Sequence, residues 1–143
     1  MSGEAARIIA ALQLAPHPEG GWYRETLRVA DPAGGRGLVT AIHFLLEEGQ
    51  ASHWHRVDAT EIWCWHAGGP LELSMAQGAD GPVTALRLGG DPLAGDQVQA
   101  VVPAGHWQAA RPLSGWVLVS CVVAPAFEFQ GFELAPPGWS PGR

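Results

Sequence analysis

Apolar residues recur at helical spacing in one place only. Ala5, Ile8, Ile9 and Leu12 share one helical face, which predicts a helix over about 4–14, with Ser2 placed to cap its start and Pro16 and Pro18 to end it. From there the chain reads as strands. "GWYRETLRV" alternates, with Trp22, Arg24, Thr26 and Arg28 on one face and Tyr23, Glu25, Leu27 and Val29 on the other. "LVTAIHFLL" is an apolar strand with His43 in its middle. Further strands are predicted over 52–55, 61–66, 71–75, 83–87, 97–102, 106–110, 115–123 and 127–134, parted by the Gly- and Pro-rich breaks "GGP", "GADGP", "GGDPLAGD" and "RPLSG". Short strands at this spacing predict an all-β sandwich or barrel behind one short N-terminal helix. The barrel spans about 20–134, and the tail 135–143 has reason to be ordered only if Trp139 docks. No repeat or linker interrupts the pattern, so residues 1–143 read as a single domain.

Composition narrows the function classes. A chain of 143 residues can bury a core without disulfide or metal staples. A formal charge of -6 argues against nucleic acid and against an anionic membrane surface as partner. All eight basic side chains are Arg, which excludes a Schiff-base lysine and a P-loop lysine. There is no Asn, so N-glycosylation is excluded. Cys64 and Cys121 lie far apart with no CxxC and no secretory segment, the expectation for reduced thiols and a cytoplasmic protein. No apolar run is long enough to span a bilayer.

The candidate chemistry concentrates in "HWHRVDATEIWCWHAG" (53–68), which holds three of the six histidines and three of the seven tryptophans. On a regular strand His53 and His55 point the same way, and Glu61 opens the next strand of a predicted hairpin. Two imidazoles and a carboxylate so placed can form a facial triad for a divalent first-row metal. The competing reading is a polar piece of core in which Trp54, Trp63 and Trp65 supply the packing.

The motifs resemble those of the cupin superfamily. Gly49, His53, His55, Glu61 and Gly68 follow the first cupin motif, with the glycine-to-histidine interval shorter than usual and the His55-to-Glu61 interval longer by one. "PAG" at 103–105, after Gly95, follows the second, but Gln108 stands where a metal-binding histidine is usual, and His106 lies two residues early. The chain is most similar to a compact single-domain branch catalogued as a domain of unknown function. The blocks that carry this are "PHPEGGWYRET" (16–26), "HRVDATEIWCWHAGGPLEL" (55–73), "VPAGHWQAA" (102–110) and "VSCVVAPAFEFQGFEL" (119–134). Cys64 departs from the branch, where histidine is usual.

The resemblance implies a double-stranded β-helix, the cupin jelly roll, assembled as a homodimer, with a small-molecule pocket inside a barrel shaped like that of sugar-nucleotide epimerases and isomerases. His53, His55, Glu61 and Gln108 would be the metal ligands, at low affinity because an amide oxygen is a weaker donor than imidazole for such ions. Without metal, His55 and Glu61 become an acid–base pair with Tyr23 as third catalytic candidate, and Glu61 is expected to raise the pKa of His55. Trp63, Gln108, Glu25, His43 and His53 are the ligand-binding candidates, with Trp63 as pocket wall. His66 falls on the opposite strand face, and Cys64 and Cys121 read as small core residues rather than nucleophiles. Three readings stay open: a metal-independent isomerase or epimerase, a metal-dependent dioxygenase-like enzyme, and a non-catalytic binding or storage protein.

Overall fold

The computed structural model describes residues 3–142. Helix α1 (Gly3–Leu12) is followed by β1 (Ala15–Pro16), β2 (Trp22–Val29), β3 (Val39–Leu46), β4 (Ser52–Val57), β5 (Thr60–Gly68), β6 (Leu71–Ala76), β7 (Val83–Leu88), β8 (Gln99–Val102), β9 (Trp107–Pro112), β10 (Val117–Ala124) and β11 (Phe132–Leu134). The strands form two antiparallel sheets, β1-β2-β3-β10-β5-β8 and β11-β4-β9-β6-β7, which face each other as a cupin jelly roll. The Ser2 cap lies outside the described residues. The helix does not run to the prolines. It closes on a Schellman motif, with Gln13 left-handed (φ 57°), Gln13 N–H donating to Ala10 O and Leu14 N–H to Ile9 O. Its apolar face packs with Leu14 on Leu45, Trp22 and Leu118, on the outside of the six-stranded sheet.

Phe44, Leu46, Trp63, Leu71, Leu73, Leu88, Val117 and Val119 fill one end of the space between the sheets. Full burial of such side chains is worth ~1.5–3 kcal/mol each. The other end is open and forms a cavity.

Two bulges change which residues reach that cavity. In β2, Glu25 pairs with Ile42 and Leu27 with Ala41, leaving Thr26 without a partner residue on β3; its hydroxyl donates to Ala41 O at 3.2 Å. The alternation therefore reverses after Thr26. Arg28, predicted on the face of Trp22, lines the cavity with Tyr23 and Glu25. In β4, Ser52 pairs with Ala110 and His55 with Gln108, so three steps on one strand oppose two on the other. Ser52 and His55 point inward, and His53 between them points out.

The predicted hairpin of β4 and β5 is not formed, since β4 belongs to the five-stranded sheet and β5 to the six-stranded one. The last predicted strand is shortened to Phe132–Leu134; Phe127 and Glu128 lie in a loop at the cavity mouth and Phe129–Gly131 is a 3-10 turn. Within the described part of the tail, Trp139 docks against Trp107 (ring centroids 4.5 Å apart) and Trp54 (6.4 Å). Trp54 thus packs outside the barrel. No described helix is long and apolar enough to cross a membrane.

Candidate functional site

The open end of the barrel encloses a cavity of about 380 Å³. Its floor gathers His17, Glu19, His55 and Glu61 from separate parts of the chain. His55 comes from β4 and Glu61 from β5, so they meet across the barrel rather than side by side. They are 1% and 6% exposed. His17 and Glu19 come from the turn between β1 and β2. Gly20 N–H donates to His17 O at 3.0 Å, and His53 N–H donates to Glu19 O at 2.8 Å, which folds the turn against β4. Glycine is required there: Gly20 has φ +110°, and a Cβ would stand 2.1 Å from Ala51 O.

The hydrogen bonds assign a state to each group. His55 Nδ1–H donates to His53 O at 2.7 Å, which leaves the Nε2 lone pair free, 3.5 Å from Glu19 Oε1. Glu19 Oε2 accepts from the Ser52 hydroxyl. Glu19 N–H donates to His17 Nδ1 at 3.1 Å. Glu61 Oε1 accepts from Gln108 Nε2 at 2.8 Å, and Gln108 Oε1 accepts from Trp63 Nε1 at 2.9 Å. The buried Cys121 thiol is near enough to act on Glu61.

Burial controls the titration. It pushes Glu19 up to about 8 against the opposing Ser52 hydrogen bond. It pushes Glu61 up to about 7, the nearby His55 opposing and Glu19 adding. It lowers His17 to about 4, with His55 adding to the shift. His55 is lowered too, because burial outweighs the attraction of Glu61. The expectation that Glu61 would carry His55 toward the imidazolium is therefore corrected: the carboxyl acts in the predicted direction, but loss of hydration is larger. Glu19 Oε1 lies within ion-pair distance of both histidines. With the imidazoles lowered and the carboxyl raised, these contacts join uncharged partners near neutral pH.

Of the predicted site residues, His55, Glu61, Tyr23 and Glu25 all reach the cavity. Tyr23 sets its ring edge-on to His17, centroids 4.5 Å apart. Trp63 and Gln108 do not line it. Both are buried behind Glu61 and hold its carboxyl in place, so the cavity walls are Tyr23, Thr40, Phe and aliphatic side chains rather than indoles. His53 is corrected to the outer face by the β4 bulge, its Nε2–H donating to Pro136 O at 2.9 Å. His43 is corrected likewise: it alternates with the inward Ile42 and Phe44, lies between Arg24 and Ser120 in register, and buries a Nδ1 that has no partner among the described residues. His66 is exposed, with Nε2 2.6 Å from Ser120 Oγ.

The predicted metal set is not assembled. His53 faces away and the Gln108 oxygen is engaged by Trp63, leaving only His55 and Glu61 of the four. No group of three His, Cys, Asp or Glu among the described residues is disposed to hold an ion. His17, Glu19, Arg28 and Glu128 are titratable cavity residues that sequence reasoning left without a role, and Ser52 bonds to Glu19. The signal for the first two was "HPEGG": two titratable side chains beside a diglycine turn able to press its backbone against a strand.

A family model described as Cupin superfamily (DUF985) matches residues 6–135. The chain belongs to this family. As a cupin it is similar, at 40% identity, to a protein from Shewanella oneidensis, over 92% of this chain and 84% of that one, with a TM-score of 0.84. A hypothetical protein from Leishmania major is 32% identical over 92% of this cupin and 86% of its own chain, with a TM-score of 0.82. Oxalate decarboxylase from Bacillus subtilis matches 83% of this cupin with 29% of its own length, at 14% identity and a TM-score of 0.64, a likeness of fold alone. No curated protein matches the sequence.

Proposed function

We propose that this cupin binds a small carbonyl compound in the barrel and moves protons within it, as a metal-independent isomerase or epimerase of the sugar type. The observation that carries this reading is the unprotonated Nε2 of His55, held in one buried cavity with two carboxyl groups that burial raises, Glu19 to about 8 and Glu61 to about 7. A base and an acid on the same small space are what enolisation needs.

Nε2 takes the proton from the carbon beside the carbonyl. The electron pair of that C–H bond becomes the carbon–carbon π bond, and the carbonyl π pair takes a proton from Glu61. Protonation of the former carbonyl carbon, with the hydroxyl proton on the first carbon passing to the Glu61 carboxylate, gives the isomer. Protonation of the first carbon on its opposite face, with the enol proton returning to Glu61, gives the epimer. His55 is a weak base here, so proton removal depends on simultaneous protonation of the oxygen. Gln108 and Trp63 hold Glu61 in one orientation for that step, and Tyr23 offers its hydroxyl from the wall. Acid–base positioning of this type contributes about 10²–10⁴-fold to rate.

The test is deuterium incorporation. Aldoses, ketoses and simple hydroxyketones are incubated with the protein in D2O, and exchange at the carbon beside the carbonyl is followed by NMR. Exchange that disappears in His55→Ala and Glu61→Gln supports the reading. Exchange that persists in both folded variants, or binding with no exchange for any compound, removes the enzymatic role; the latter leaves a binding protein.

A further inference from the structure

The cavity carries a charge pattern that the proton-transfer reading does not use. Its floor has two carboxyl groups and two imidazoles and no lysine or arginine. Burial holds both imidazoles uncharged. The guanidinium on the wall, Arg28, is already engaged. Its Nε and Nη2 donate to the two oxygens of Glu25 at 3.1 and 2.8 Å, and Nη2 also donates to Phe127 O at 3.0 Å. Glu128 is near enough to act on the same guanidinium. Glu25, Arg28 and Glu128 all line the mouth, so two carboxylates face one cation there. Between mouth and floor the walls are Ile42, Val57, Val123 and Phe127.

An anion entering this space meets net negative charge first, then an apolar passage, then a floor without a cation to pair it. Arg28 can offer its Nε and Nη2 fork to an anion only by leaving Glu25 and Phe127 O. A buried charge without a partner is heavily penalised. A cation must cross the same apolar passage and complete the ionisation of carboxyls that burial raises, Glu19 to about 8 and Glu61 to about 7, before either pairs with it fully. An uncharged molecule meets none of these costs. Its carbonyl or hydroxyl can accept from a carboxyl and donate to His55 Nε2, while its apolar side lies on the walls.

We propose that the cavity selects an uncharged molecule with a carbonyl or hydroxyl at its buried end and an apolar flank, and that Glu25 enforces this choice by occupying Arg28. The inference rests on the proposed function and narrows it, excluding phosphorylated sugars and sugar nucleotides as substrates.

Three probes of one shape and different charge test it: cyclohexanone, cyclohexanecarboxylate and cyclohexylammonium. Each is titrated into the full chain at pH 7, with backbone amide shifts around the cavity as readout. Cyclohexanone is expected to bind about tenfold or more tighter than either ion. Glu25→Gln removes the charge that holds Arg28 and is expected to tighten cyclohexanecarboxylate relative to cyclohexanone by about tenfold. Glu25 is partly exposed, so the substitution spares the fold; Glu128→Gln is the second variant and moves the carboxylate in the same direction. Carboxylate binding to the unmodified protein as tightly as the ketone, or no response to either variant, overturns the charge selection alone. Ketone binding that is unchanged in His55→Ala and shifts residues away from the cavity overturns the proposed function instead. If no probe perturbs the cavity amides, both fall.

Discussion

Glu19 sets the steepest pH dependence of stability expected for this cupin. Its carboxyl is pushed from the ordinary 4.5 to about 8 by burial at the cavity floor. A raised carboxyl pKa means that the folded state holds the proton more tightly than the unfolded state. The stabilisation is therefore fully present below pH 4.5 and lost as pH rises through 8. Between pH 6 and pH 8 the native state binds nearly one more proton at this site, at ~1.4 kcal/mol per pH unit, flattening near 8, for a total of ~2 kcal/mol. Glu19→Gln keeps the shape and the contact with Ser52 but cannot ionise. His17 and His55, both lowered, act in the opposite sense and lose stabilisation as pH falls below 6.5. Both chains share the histidines; Glu61 is shared too, but ionised Glu19 raises it, so the difference between the two proteins reports Glu19 together with its coupling to Glu61. Urea unfolding at pH 6, 7 and 8 is the assay. The unmodified protein should lose ~2 kcal/mol relative to the variant across this range. Parallel pH profiles for the two proteins would refute the claim that Glu19 is buried and protonated.

Gln108→Leu should cost ~2–4 kcal/mol in chemical denaturation, because it leaves both the Trp63 N–H and the Glu61 carboxyl without their buried partner; a loss below ~1 kcal/mol would contradict the bridge. Gly20→Ala should cost ~2 kcal/mol or more by the same measurement, since its Cβ would collide with Ala51 O and its backbone is left-handed; a neutral outcome would mean that the turn does not press on β4. His53→Ala should leave the affinity of any cavity ligand within about twofold, because the bulge carries this side chain to the outer face, and a loss of binding would return His53 to the site.

The jelly roll was legible where alternation is regular and where glycine and proline mark the turns, as in β6, β7 and β10. It was not legible at Thr26 and at His53, because a bulge is one extra residue with no sequence signature of its own, and it reverses every later side chain on that strand. For that reason Arg28 was assigned to the wrong face and His53 to the inside. The resemblance brought His55, Glu61 and Gln108 to one region, but the part each plays depends on pairings across the barrel. Gln108 could serve as a ligand or as a brace, and the Trp63 N–H on its oxygen decides for the brace. The sign of the His55 shift needed its burial, which neighbouring residue types do not report. Glu19 and His17 lie far from the H-x-H motif in sequence and reach the floor only because a diglycine turn folds inward.

His55 sits uncharged in the barrel at neutral pH, with its Nδ1–H fixed on His53 O and its Nε2 unprotonated. Nitrogen-15 NMR of the imidazole ring tests this most directly. At pH 7 the expected result is a neutral ring protonated at Nδ1 that titrates below the ordinary 6.5. A ring that is doubly protonated at pH 7, or neutral with its proton on Nε2, would contradict it.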